Sequence, residues 1–166
     1  MATDEMAEPE NSPGRAGRCA LVIGYGSPIR GDDAVGPLVA ERLAEMEQAP
    51  GVAVLSRHIL TADLLPELCA ADLVVFIDAT HDGEPGSVTC RPLAPTATGP
   101  AIMAHFLDPR ELLAWAAALY GHRPRAYLVS TPAQNLDYAH CELSAVVAGT
   151  VPSLIECIQE LLVAHG

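Results

Sequence analysis

Along this chain, short unbroken apolar runs alternate with longer stretches in which apolar residues recur at helical spacing. Residues 19–24 (Cys-Ala-Leu-Val-Ile-Gly) are the first such run; its length and continuity predict a strand covered on both faces. Val35, Leu38, Val39 and Leu43 then fall on one side of a helix predicted over 34–46, with Glu41 and Glu45 outside. Pro37 lies near its first turn, where a missing N–H costs little. Residues 52–55 predict a second strand, and Thr61 can cap a short helix over 62–70. The run Leu-Val-Val-Phe-Ile at 73–77 predicts a third strand, and residues 87–91 a fourth, shorter one. Leu112, Leu113, Trp115, Ala116 and Leu119 form the packing side of a helix over 110–120, followed by a fifth strand over 125–129. The last helix is expected from Ser144 to about Ala164, with a kink at Pro152. Residues 93–103 read as a loop. So do residues 131–141, a segment too long and polar for a simple connector and therefore a functional candidate.

This alternation implies an α/β fold: three layers, with a mainly parallel sheet of about five strands and helices on both faces. Residues 1–17, polar and rich in Pro and Gly, read as a disordered acidic tail, and 18–166 as a single domain. In such sheets ligands gather beyond the carboxyl ends of the strands. Asp33 follows the first strand and Asp78 closes the third, so both carboxylates are expected on one rim.

Composition narrows the function. A formal charge of -12 repels polyanions, which argues against a nucleic acid or an anionic membrane as partner. Half the residues are hydrophobic but only 4% are aromatic, so Leu, Val, Ile and Ala must fill the core. Five scattered cysteines without a C-x-x-C pair fit reduced thiols in a cytoplasm. Residues 1–17 hold no apolar run like that of a signal peptide, and no window reads as the ~18 apolar residues of a membrane span. A soluble, cytoplasmic monomer is expected.

The candidate chemistry is acidic. Gly24-Tyr-Gly26 after a strand suggests a dinucleotide loop, but Ile29 stands where the third glycine belongs, and Asp32 and Asp33 would face the phosphates. No phosphate-binding G-x-x-x-x-G-K-[ST] occurs. Of the two acids, Asp32 is the better helix cap and Asp33 the better ligand. Asp78, a lone acid ending an apolar strand, reads as functional. His105 and its rival His81 are single histidines that sequence alone does not place. Cys90 and Cys141 have no base at a telling spacing. Ser27, followed by Pro28, lacks the G-x-S-x-G elbow.

Together these segments resemble the hydrogenase maturation proteases, endopeptidases that process nickel–iron hydrogenase large subunits. The resemblance rests on Leu21-Val-Ile-Gly-Tyr-Gly-Ser-Pro-Ile-Arg-Gly-Asp-Asp-Ala-Val-Gly36, on Val74-Val-Phe-Ile-Asp78-Ala79, on His105 ahead of a leucine-rich helix, and on Leu143-Ser144 opening a terminal helix with Pro152 inside. It implies that Asp33, Asp78 and His105 form a metal-contacting triad. Two carboxylates and one imidazole suit a borderline divalent ion such as nickel and leave coordination positions open. It further implies removal of a C-terminal extension from a nickel–iron hydrogenase large-subunit precursor after nickel insertion, the nickel arriving with the substrate. Hydrolysis then proceeds either through metal polarisation or through a carboxylate base. The alternative is a non-catalytic nickel-binding chaperone that docks on the precursor without cutting it.

Overall fold

In a computed structural model that describes residues 19–97 and 106–166, the elements in chain order are β1 (Ala20–Tyr25), α1 (Val35–Glu45), β2 (Val52–Arg57), α2 (Leu65–Ala70), β3 (Leu73–Thr80), β4 (Thr89–Leu93), α3 (Pro109–Tyr120), β5 (Arg125–Pro132) and α4 (Ala145–His165). The tail expected over 1–17 lies outside the described residues. Two 3₁₀ turns, Gly31–Ala34 and Ala62–Leu64, lead directly into α1 and α2.

β1 is paired on both edges, in parallel, with β2 and β3. Its side chains therefore alternate between two apolar layers and need no polar face. Leu21 and Ile23, with Val74 and Phe76 of β3, pack under α2 and α3 (Leu68, Leu112, Leu113). Ala20 and Val22, with Leu73, Val75 and Ile77, pack under α1 and α4 (Val39, Leu43, Val151, Leu154). The sheet order is β2-β1-β3-β5-β4, parallel except for β4, which closes one edge antiparallel to β5. This is the three-layer, mainly parallel α/β architecture that the alternation of runs predicts.

β4 starts two residues later than expected. The Ser87 amide closes a turn onto the Glu84 carbonyl, and the Ser87 carbonyl accepts the Thr131 hydroxyl at 2.9 Å, so that stretch is spent on the corner. Pro92 is tolerated because β4 is an edge strand. Thr61 precedes the turn at Ala62–Leu64 but makes no side-chain cap; its hydroxyl goes to the Asp63 carboxylate.

α3 starts with a full capping box: Asp108 Oδ1 accepts the Glu111 N–H at 2.9 Å and Glu111 Oε2 accepts the Asp108 N–H at 3.0 Å. α4 runs through Pro152 as one helix, the proline lying exposed on its outer side. One expectation is corrected here: at 21 residues and mean hydropathy 1.5, α4 is long and apolar enough to cross a membrane by length and composition. Its Val147, Val151, Leu154 and Ile158 instead recur at three- and four-residue spacing and are buried against the sheet.

The start of α1 lies directly on the strand ends. A Cβ at Gly36 would come 2.6 Å from the Ile77 carbonyl oxygen and meet the Tyr25 backbone, and one at Gly24 would strike the Gly36 carbonyl. Gly36→Ala is therefore expected to cost about 1–3 kcal/mol by overpacking, a fall of about 3–10 °C in melting temperature by thermal denaturation. An unchanged melting temperature would show that this contact has slack.

Candidate active site

The strand register places the first pair of site residues. Gly24 of β1 lies opposite Ile77 of β3, so Tyr25, the last residue of β1, and Asp78 follow side by side; Asp78 does not close β3 as expected, because the strand runs on to Thr80 paired with β5 alone. Two-residue periodicity turns both toward the α2/α3 layer, and the Tyr25 hydroxyl donates to Asp78 Oδ2 at 2.7 Å. Burial pushes the Asp78 carboxyl up to about 7; the hydrogen bond from Tyr25 works against this, Asp33's negative charge adds to it, and the Ala79 N–H opposes it. Burial also lifts the Tyr25 phenol far above its usual range, helped by the charge and hydrogen bond of Asp78 and by the charges of Asp108 and Asp33. Tyr25 therefore stays protonated and acts as a fixed donor to Asp78.

Asp33 comes from the 3₁₀ turn that precedes α1. Its Oδ2 accepts the Ser27 N–H at 2.7 Å, which ties the turn back to the end of β1. Gly26, at φ 145°, makes this fold possible: a Cβ there would collide with the Asp33 carbonyl oxygen and sit 3.3 Å from its Cγ. The same bond bears on the nucleotide reading, because a carboxylate of the protein itself occupies a loop amide that a phosphate would need.

Asp32 is not a helix cap. The residue before α1 is Ala34, which makes no side-chain cap, and Asp32 is fully buried beneath the loop between β5 and α4. Its Oδ2 accepts the N–H groups of Gln134 and Asn135, both at 2.8 Å, and the Ser144 hydroxyl at 2.9 Å; its Oδ1 accepts the Ser144 N–H at 2.7 Å. Burial alone would raise this carboxyl, but the bonds from Asn135, Ser144 and Gln134 outweigh it and hold the group below the usual range.

The loop singled out for its length is the other half of this clamp. Asn135 O accepts the Asp32 N–H and His140 O the Gly31 N–H, both at 2.8 Å. Arg30 Nε donates to Leu136 O at 3.1 Å, with its guanidinium 5.4 Å from the Tyr138 ring centre. The loop thus fixes the turn that presents Asp33.

Asp78 faces a pocket of about 280 Å³ shared with Tyr25, His81, Arg91, Asp108 and Arg110. His81, the rival histidine, is exposed at its edge. His105 lies outside the described residues, and among those described no cluster of three or more His, Cys, Asp or Glu side chains could hold a metal ion. The structure therefore brings Asp33 within electrostatic reach of Asp78 and leaves the third expected ligand untested. Sequence reasoning missed Tyr25 and Asp108. Asp108-Pro-Arg-Glu111 carries a capping signal, whereas the partner of Tyr25 depends on cross-strand register.

No protein-family model matches the chain, and no curated protein does. Solved structures do match. A [NiFe] hydrogenase maturation protease, HycI, from Thermococcus kodakarensis superposes with a TM-score of 0.70 at 29% identity, covering 89% of this chain and 94% of that one. In fold and, at this identity, in sequence, the chain resembles the hydrogenase maturation proteases. The hydrogenase-maturating endopeptidase HybD from E. coli has the same fold, with a TM-score of 0.70 at 22% identity over 89% of this chain and 94% of that one. So does the hydrogenase 2 maturation peptidase from Thaumarchaeota archaeon SCGC_AB-539-E09, with a TM-score of 0.65 at 24% identity over 87% and 98%. These neighbours are named hydrogenase maturation endopeptidases, which supports reading this chain as a protease.

Proposed function

We propose that the protein removes the C-terminal extension of a nickel–iron hydrogenase large-subunit precursor after nickel insertion, with Asp33, Asp78 and His105 contacting the nickel that the precursor carries. The observation that supports this reading best is Asp78 itself. It is a carboxyl near a strand end, oriented by Tyr25, pushed up to about 7 and close to a second acid, Asp33. Carboxylate oxygens suit a divalent ion of intermediate hardness, and two of them leave positions open for substrate groups. Bound there, the substrate's nickel would polarise a carbonyl or acidify a water. Asp78, half-ionised near neutral pH, either contacts that ion as the carboxylate or takes up the proton of an attacking water. Tyr25 holds it in place for both roles. We further read the protein as a soluble cytoplasmic monomer with reduced thiols.

The deciding experiment incubates the purified protein with nickel-loaded and nickel-free precursor and weighs the large subunit by mass spectrometry. Shortening of the nickel-loaded form alone is the expected result. Stable binding without shortening would favour the docking chaperone instead.

A pH profile tests the carboxyl. Cleavage is expected to fall on the acid side of about pH 7, as Asp78 takes up its proton. Tyr25→Phe removes the donor that favours the carboxylate, so its acid limb should move to higher pH and its rate at pH 7 should fall about tenfold or less. A profile identical to that of the parent protein would remove Tyr25 from the site.

A further inference from the structure

Resting on the proteolytic reading above, we propose that Arg91 and Arg110 form a carboxylate-binding subsite that seats an acidic group of the substrate peptide in the pocket beside Asp78. Arg91 pairs with Leu128 across the β4–β5 ladder, and Leu128 belongs to the apolar layer under α2 and α3. The Arg91 side chain therefore leaves the sheet on the face that carries Asp78. Arg110 reaches the same place from the first turn of α3. Its Nε donates to the Ala94 carbonyl at 3.1 Å and its own carbonyl accepts the Thr96 N–H at 3.3 Å, so α3 is tied to the chain leaving β4. Both arginines line the cavity of about 280 Å³ that Tyr25 and Asp78 share, with Leu93, Leu128 and Pro109 as its apolar part.

Cations are scarce in this chain: its formal charge is -12, and its nine basic residues are all arginines. Two of them on one small cavity mark a guest with negative charge. A guanidinium presents parallel N–H groups that match the two oxygens of a carboxylate, which a lysine ammonium does not. Among the described residues neither guanidinium bonds to a carboxylate: Asp78 Oδ2 takes the Tyr25 hydroxyl and Asp108 Oδ1 the Glu111 N–H. Arg110 spends only its Nε, which leaves both terminal nitrogens for a guest. Asp82 and Asp108 share the lining and offset the two cations, so recognition depends on the guanidinium fork rather than on a general positive field. The guest is either an Asp or Glu side chain of the C-terminal extension or that extension's terminal carboxylate. Either one anchors the peptide beside Asp78 and fixes its direction.

The test measures binding of nickel-loaded precursor by titration calorimetry and its cleavage by mass spectrometry, for the full-length parent and for variants that keep its melting temperature. Arg91→Gln and Arg110→Gln should each weaken binding and raise KM about tenfold, with kcat within about twofold of the parent. Arg91→Lys, which keeps the charge but not the fork, should recover only part of the loss. Two altered precursors separate the sources: one has every Asp and Glu of the extension changed to Asn or Gln, the other has its terminal carboxylate converted to an amide. Whichever removes the recognised group should bind the parent about tenfold more weakly, yet bind the arginine variants no worse than unaltered precursor does. Binding without cleavage, with the same loss in the variants, would sink the protease and keep the subsite; a precursor that neither binds nor is cut would sink both. Variants that bind and cleave like the parent, a fall in kcat at unchanged KM, indifference to both altered precursors, or weaker binding only when Lys and Arg leave the extension would each overturn the subsite.

Discussion

Asp78→Asn is expected to lower cleavage of nickel-loaded precursor by about 10²–10⁴-fold while the protein stays folded. The amide keeps the shape of the carboxylate, and its oxygen still accepts the Tyr25 hydroxyl. It cannot carry a negative charge or exchange a proton near neutrality, which are the two properties the proposed role requires. Stability should move the other way. The folded protein holds the Asp78 proton up to about pH 7, well above the ordinary carboxyl value of 3.8. The folded state therefore binds more protons than the unfolded state between these values. This contribution is fully present below about pH 4 and is lost as the pH rises through 7, by a few kcal/mol at about 1.4 kcal/mol per pKa unit. The amide suffers no such loss, so the variant should match the parent at acid pH and exceed it in urea midpoint at pH 8. Undiminished cleavage by a folded Asp78→Asn protein would remove this carboxyl from the chemistry.

What can be read in the sequence divides along physical lines. Local signals place the central strands correctly: the apolar runs at Leu21–Ile23 and Leu73–Ile77 take those positions because parallel pairing buries both their faces. Asp78 at the rim follows from the end of one such run. Asp32 defeats a local reading because a cap is a local role, whereas its partners Gln134, Asn135 and Ser144 lie more than a hundred residues further along the chain. Tyr25 escapes notice for a related reason: its role depends on β1 and β3 being in a register that no single segment encodes. The loop before α4 is marked by its length, but its packing against Arg30 and Gly31 makes it a support for Asp33.

The sharpest contrast is therefore between neighbouring aspartates. Asp32→Ala is expected to destabilise the fold by about 3–5 kcal/mol, since each buried donor left without an acceptor costs about 1–3 kcal/mol and the losses are not fully additive. Three backbone N–H groups, those of Gln134, Asn135 and Ser144, together with the Ser144 hydroxyl, lose their acceptor at once. Asp32→Asn should recover only part of this, because whichever way its amide turns, the NH₂ faces a backbone N–H of the clamp. The pH dependence has the opposite sign to that of Asp78. A carboxyl held below its unfolded value stabilises the protein above about pH 4, and that stability is lost as the pH falls through the depressed folded value. Urea unfolding at pH 7 and pH 3 reads both effects: the parent and Asp32→Ala should differ widely at pH 7 and less at pH 3. Asp33→Asn should leave the urea midpoint nearly unchanged, because the bond from the Ser27 N–H survives on the amide oxygen, yet abolish cleavage, because the negative charge is lost. If Asp32→Ala unfolds at the parent's midpoint, the clamp does not hold the turn, and the placement of Asp33 needs another cause.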